Sequence, residues 1–171
     1  INKGERWALT GRNGSGKTTI FSLIYADHPM AYSQKVFLFG KRRGTGESIW
    51  DIKRRINYFG PEQVHFLDPK AMLYSGRQYV MMQPHADTQR LSSLVEFFDA
   101  HSWVDKPVRH LSSGQLQLLL LIKFFLDDKE LLLLDEPFQF LGAGARIELL
   151  AELHDVDLRL AQRRAHRGRR S

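Results

Sequence analysis

Near the start of the chain stands the segment Gly11-Arg12-Asn13-Gly14-Ser15-Gly16-Lys17-Thr18. It matches the pattern G-x-x-x-x-G-K-[ST], in which glycines allow consecutive backbone N–H groups to turn towards one phosphate group. Residues 6–10 are predicted to form a short buried strand before this loop, and a helix is predicted from Thr18 onward. The positive N-terminal end of that helix would strengthen the attraction for an anion. The segment predicts a nucleotide-phosphate site, with a glycine-rich turn and an incidental lysine as the alternative.

Two side chains of this loop have specific expected roles. Lys17 is long enough to reach the β- and γ-phosphates, and the Thr18 hydroxyl can ligate magnesium. The residues expected to bind the phosphates are Gly11, Asn13, Gly14, Ser15, Gly16, Lys17, Thr18 and Thr19.

A second informative segment lies much later in the chain. Residues 131–134 are all leucine, as expected of a buried parallel strand, and Asp135, Glu136 and Pro137 follow directly. Ligands of open α/β sheets bind at the carboxyl ends of the strands. We expect Asp135 to hold magnesium, through water, and Glu136 to polarise the water that attacks the γ-phosphate. An acidic strand end carries little meaning alone, so this interpretation depends on the loop.

The remaining sequence predicts alternating strands and helices. Ser48 and Asp51 resemble a helix-capping box, and residues 61–90 give no secure assignment. Further strands are predicted at residues 36–39 and 56–59, and further helices at residues 91–98, 114–126 and 145–153. This alternation indicates an α/β fold with a parallel sheet.

Composition and charge exclude several classes of function. The 171 residues suit one compact domain, and the absence of cysteine excludes disulfides, thiol nucleophiles and cysteine-bound zinc. No apolar run reaches the length of a membrane helix, and no secretory leader is visible. The net charge of +6 equals the contribution of six arginines in residues 159–171, which we expect to form a disordered basic tail. We therefore do not expect nucleic acid as a partner.

The pentapeptide Leu111-Ser112-Ser113-Gly114-Gln115 lies twenty residues before Asp135. Together with the loop and the acidic segment, it resembles the signature of the ATP-binding cassette (ABC) ATPases, although that signature usually has glycine where Ser113 stands. The resemblance implies a P-loop NTPase with a parallel sheet core and an inserted helical subdomain, here incomplete at both ends. It also implies ATP and Mg²⁺ as cofactors, and a second cassette as partner. In such a pair, Ser112 and the Gly114 N–H would contact the γ-phosphate held by the other cassette.

A narrower resemblance rests on residues 44–56 and 135–139. They are similar to the cytoplasmic tandem-cassette proteins associated with molybdenum-transport operons, also labelled photorepair proteins. This resemblance covers residues 1–153 and implies a cytoplasmic location, or a peripheral one on the inner membrane with a transporter's membrane subunit as a further partner. The cassette would span residues 1–158, with its helical subdomain at about residues 64–126.

The chain departs from the family pattern at several positions. Trp7 is part of the predicted strand, so the usual adenine-stacking aromatic residue is missing. Gln63 is the expected glutamine ligand of the metal, with Glu62 as its competitor. Leu141-Gly142 stands where the family has Leu-Asp, and His166 follows no apolar strand, unlike the histidine of the family.

Two functions therefore remain open from the sequence. The first is hydrolysis of MgATP at a head-to-tail cassette dimer, with Glu136 as the catalytic residue and Thr18, Asp135 and Gln63 around the metal. The alternative is a nucleotide-dependent interaction module that does not hydrolyse ATP, derived from a degenerate or partial cassette.

Overall fold

A computed structural model of the chain describes residues 1–2, 4–5, 7–25, 35–44, 46, 48–60, 67–84, 86–127 and 129–137. The predicted helix at residues 145–153, the basic tail and Gln63 lie outside these residues. The following helices and strands are present: α1 (Lys17–Ile24), β1 (Phe37–Leu38), β2 (Lys41–Arg42), α2 (Ile49–Lys53), β3 (Ile56–Phe59), α3 (Gly76–Met81), α4 (Thr88–Phe97), α5 (Ser113–Leu126) and β4 (Leu131–Leu134). Short 3₁₀ helices cover Pro69–Leu73 and Val108–His110.

Strands β3 and β4 confirm two of the sequence predictions. They pair in parallel, from Ile56 opposite Leu131 to Phe59 opposite Leu134. Helix α2 packs against this pair, and Ile52, Ile56 and Leu133 form a buried cluster. Side chains of α1, namely Phe21 and Ile24, together with Tyr25 at its C-terminal end, pack against the same cluster. The helix that follows the glycine loop is therefore fixed to the parallel pair by apolar contacts.

The predicted strand at residues 36–39 is present as β1, but it belongs to a β-hairpin. Strands β1 and β2 are antiparallel, and Phe39 and Gly40 between them have φ values of 51° and 79°. Two consecutive positive φ values characterise the tight turn that matches the twist of a hairpin. The buried guanidinium of Arg43 donates to the carbonyl of Leu23 at 2.9 Å and joins the hairpin to α1.

The predicted strand before the loop is wrong for the residues that can be described. Residues 7–10 have no strand structure, and Trp7 is 71% exposed. Within the described part of the chain no strand pairs with this segment, so its apolar pattern has no sheet to join. Local bonds are present instead: the Glu5 carboxylate accepts from the Trp7 indole at 3.1 Å and from Asn2. These bonds lower the pKa of Glu5 to about 2, and the bonds from Asn2 contribute the largest part of the shift.

The described residues between 67 and 126 contain helices and no extended strand. Helix α5 is central, because its residues Leu119, Leu121 and Ile122 are fully buried. Arg77 on α3 makes a two-bond ion pair with Asp105, at 2.7 and 3.1 Å, which lowers the pKa of Asp105. Among the helices described, none is both long and apolar enough to span a membrane.

Candidate functional site

The glycine loop has the backbone geometry that its sequence requires. Gly14 and Gly16 have φ values of 81° and 91°, a region that L-residues with side chains rarely occupy. A Cβ atom at Gly11 would lie 2.5 Å from the Ser15 hydroxyl oxygen, so a side chain at position 11 would require the Ser15 side chain to rotate away. The Ser15 N–H donates to the carbonyl of Arg12 at 3.1 Å and closes the turn.

Helix α1 begins directly at the end of this loop. Its N-cap is Gly16, which provides no side-chain hydrogen bond, and its first turn contains no acidic residue. The first N–H groups of a helix lack partners within the helix and carry a partial positive charge. Lys17, Thr18 and Thr19 therefore present backbone donors at a helix end that no acidic side chain neutralises.

The ammonium group of Lys17 lies back across the loop. Its Nζ atom donates to the carbonyl oxygens of Gly11 at 2.8 Å and Arg12 at 3.1 Å. These two bonds keep a positive charge over the same backbone that the glycines shape. Because both bonds are to neutral carbonyls, a phosphate oxygen would be a stronger acceptor for this ammonium.

The two carboxylates after β4 differ in their surroundings. Asp135 is 3% exposed, its N–H donates to the carbonyl of Phe59 at 2.7 Å, and its Oδ2 accepts from the Tyr58 hydroxyl at 3.3 Å. Glu136 is exposed and has a φ of 49°. The structure therefore provides one enclosed carboxylate held by the sheet and one that faces solvent.

The pentapeptide at residues 111–115 forms the start of α5. Ser112 is its N-cap: its Oγ accepts from the Gln115 N–H at 3.2 Å, and the Gln115 side chain accepts from the Ser112 N–H at 3.0 Å. This capping box leaves the Ser112 hydroxyl proton available to an external acceptor. Ser112 and Ser113 are exposed, and a Cβ atom added at Gly114 would contact nothing.

The sequence model of the family described as ABC transporter matches residues 1–139. The chain belongs to this family of ATP-binding proteins. Over 167 residues it is 38% identical to the ABC transporter ATP-binding protein ModF of Escherichia coli, covering 91% of this chain and 34% of ModF. It is 30% identical over 164 residues to the zinc import ATP-binding protein ZnuC of Pseudomonas fluorescens, covering 95% of this chain and 55% of ZnuC.

A third relative and a solved structure extend the comparison. An uncharacterized ABC transporter ATP-binding protein of Schizosaccharomyces pombe is 38% identical over 149 residues, which cover 81% of this chain and 30% of that protein. A structure described as an inward-facing metal-chelate type ABC transporter superposes with a TM-score of 0.57 at 24% identity, covering 95% of this chain and 61% of that one. That likeness shows the mixed α/β fold of an ABC ATPase. The chain spans about a third of the length of ModF and of the yeast protein.

Two residues of this ABC protein that the sequence did not single out contact the acidic end of β4 and the turn after it. Tyr58 packs against Tyr25 in a tilted arrangement with ring centroids 5.3 Å apart, so it links Asp135 to the C-terminal end of α1, opposite the glycine loop. Gln117 on α5 donates to the carbonyl of Pro137 at 3.5 Å, directly after Glu136. The sequence signal for Gln117 was its place as a polar residue next to a run of leucines in α5. The role of Tyr58 has no such signal, because it depends on the register between β3 and β4.

Proposed function

We propose that this chain is a nucleotide-binding cassette that binds MgATP and hydrolyses it when paired with a second cassette. The observation that carries the proposal is the glycine loop, whose left-handed glycines and uncapped helix start offer backbone donors to a phosphate group. The acidic end of β4 is supported by separate contacts. Tyr58 hydrogen-bonds Asp135 and packs against Tyr25 at the C-terminal end of α1. Gln117 on α5 hydrogen-bonds the carbonyl of the residue after Glu136. ATP binding is a property of the family, and hydrolysis by this chain is the step proposed.

The loop suits the phosphate groups of the nucleotide. The glycines have positive φ values that shape the turn, and α1 begins with backbone N–H groups that have no side-chain cap. Lys17 supplies a positive charge, and its ammonium group hydrogen-bonds two carbonyl oxygens of the loop. On binding, Lys17 exchanges those carbonyls for phosphate oxygens. The loop residues proposed to contact phosphate are those from Gly11 to Thr19 apart from Arg12.

The acidic strand end suits a magnesium ion in part. Asp135 offers a buried carboxylate oxygen, and magnesium prefers oxygen ligands in an octahedral arrangement. Among the described residues, no three His, Asp or Glu side chains are grouped for metal binding. The Thr18 hydroxyl, water and phosphate oxygens would therefore complete the set, with Gln63 proposed as a further ligand. Magnesium supplies neutralisation of the charge on the phosphate oxygens during transfer.

We propose that Glu136 acts on water rather than on the metal. Its carboxylate is exposed at the end of β4, one residue beyond the buried Asp135. An exposed carboxylate can accept a hydrogen bond from a water molecule and orient it for attack on the γ-phosphate. The exposed start of α5, with Ser112 and Gly114, would contact the nucleotide of the second cassette.

The proposed partner follows from the names of two relatives. Because ModF and ZnuC are named as ATP-binding proteins of transport systems, we propose a second cassette, in the same or a tandem chain, as the required partner. A transporter's membrane subunit would be a further partner, at the cytoplasmic face of the membrane. The helical subdomain proposed at about residues 64–126 contains helices and no extended strand where it is described.

The test is phosphate release from ATP at increasing protein concentration, for the wild type and for Glu136→Gln. We expect the rate per molecule to rise with concentration as pairs form, and Glu136→Gln to lower kcat by about 100-fold or more while ATP still binds. A chain that binds ATP but shows the same negligible phosphate release with and without Glu136 would instead be the non-hydrolysing interaction module. Leu141-Gly142, which lies outside the described residues, is the sequence feature that favours that alternative.

A further inference from the structure

Gln117 is a polar side chain in the core of the helical region. It is 1% exposed, although its neighbours on α5, such as Leu119 and Leu121, are apolar and fully buried. Its Nε2 atom donates to the carbonyl of Pro137 at 3.5 Å, and no group among the described residues donates a hydrogen bond to its buried Oε1 atom. A buried amide with an unsatisfied carbonyl destabilises a fold, so packing does not account for glutamine at this position.

The segment that Gln117 contacts has an uncommon backbone conformation. Glu136 has a φ of 49°, in the left-handed region that residues other than glycine seldom occupy. Such a conformation persists where surrounding contacts hold it. On one side the Asp135 N–H is bonded to the carbonyl of Phe59 at 2.7 Å, and on the other side Gln117 bonds the carbonyl of Pro137. The turn that carries Glu136 is therefore anchored at both ends.

We infer that Gln117 is a positioning residue for Glu136, an inference that rests on the hydrolysis proposed above. Gln117 holds the turn from which the Glu136 carboxylate extends, and does not itself touch nucleotide. Because α5 begins with the residues that face the second cassette, the same helix carries the surface for the partner and the anchor of the catalytic turn. The destabilising amide is retained because hydrolysis requires this anchor.

The main experiment compares Gln117→Met with the wild type. Methionine has a similar length and no amide, so it removes the anchor and the unsatisfied oxygen together. We expect kcat for ATP hydrolysis to fall about tenfold or more, as a displaced catalytic group does, while ATP affinity stays unchanged. We expect the thermal unfolding midpoint to stay the same or rise. A residue that merely stabilises the core would lower the midpoint without this separation of kcat from affinity.

A control variant and a second readout make the result decisive. Leu121→Met, one turn further along α5, changes a fully buried side chain that has no hydrogen bond to lose, and should keep kcat close to that of the wild type. Exchange of the backbone amide hydrogens of residues 131–136, measured without nucleotide, should be faster in Gln117→Met and unchanged in Leu121→Met. Should Gln117→Met fail to fold, Gln117→Leu removes the same amide and takes its place in both measurements.

The two readouts also separate the failure of this inference from the failure of the proposed function. If the wild type hydrolyses no ATP, the proposed function fails, and hydrogen exchange alone then decides whether Gln117 holds the turn. Unchanged exchange together with unchanged kcat overturns the inference. A fall in kcat with unchanged exchange overturns it as well, because the turn would then not depend on Gln117.

Discussion

The glycine loop and the acidic end of β4 hold their functional groups in different ways. In the loop, Lys17 bonds carbonyls five and six residues before it, and the whole arrangement is local. At the acidic end, Asp135 is bonded by Tyr58, which lies 77 residues earlier, and the turn after it is bonded by Gln117, 20 residues earlier. A local motif therefore keeps its geometry on its own, whereas the acidic end depends on the packing of the whole fold.

The largest expected effect tests the local half of this comparison. Lys17→Met removes a charged donor to phosphate, and hydrogen bonds to charged groups contribute about 1.5–3 kcal/mol, so we expect ATP affinity to fall about 10- to 100-fold. Because Lys17 bonds only its own exposed loop, the free energy of unfolding without nucleotide should stay unchanged. ATP titration and urea denaturation measure the two quantities.

Lys41→Met is the matched control for this prediction. Lys41 is an exposed lysine in β2, so its replacement removes the same charge at a position outside the loop. An equal loss of ATP affinity in both variants would show that the net charge matters rather than the contact of Lys17. A loss of unfolding free energy in Lys17→Met would show that the loop is not independent of the fold.

At the acidic end we expect a smaller effect, and we expect it on the free energy of unfolding rather than on ATP affinity. Tyr58→Phe removes the hydroxyl that donates to Asp135 at 3.3 Å and leaves a buried carboxylate with one donor fewer. We expect the free energy of unfolding to fall by about 1 kcal/mol even without nucleotide. Urea denaturation measures this change, and Tyr74→Phe, at a more exposed tyrosine, is the control that should show none. Equal stability of Tyr58→Phe and the wild type would mean that long-range contacts do not support this end.

The same distinction explains what the sequence could predict. Strand β4 was predicted because its continuous apolar run is visible without any partner. Strand β3 was predicted with its observed bounds, and α5 was predicted to within one residue of its observed start at Ser113. The strand at residues 6–10 failed because an apolar pattern cannot show whether a neighbouring strand is present. Helix α3 was missed, although Ser75 and Gln78 form a capping box that the sequence displays.

The candidate site divides in the same way. The glycine loop has a pattern of residues whose backbone requirements are evident from their identities, and its φ values agree with them. Tyr58 and Gln117 carry no such pattern, because their importance arises from strand register and from the contact between α5 and the turn at Pro137. Local chemistry can be predicted from one sequence, whereas contacts between distant segments require the fold.

The smallest expected effect concerns a local contact away from the site, the capping box of α2. The Ser48 hydroxyl and N–H donate to the Asp51 carboxylate, with Arg54 as a further partner, and these bonds hold the pKa of Asp51 below its usual range. Because the folded pKa is lowered, this stabilisation is present above the pKa of an unfolded aspartate, about 4, and is lost as the pH falls through the folded value. Asp51→Asn should therefore show a shallower loss of stability below about pH 4 than the wild type, and almost no difference in slope at neutral pH. Thermal unfolding between pH 3 and pH 7 measures both slopes, and parallel curves would show that the box contributes nothing that depends on charge.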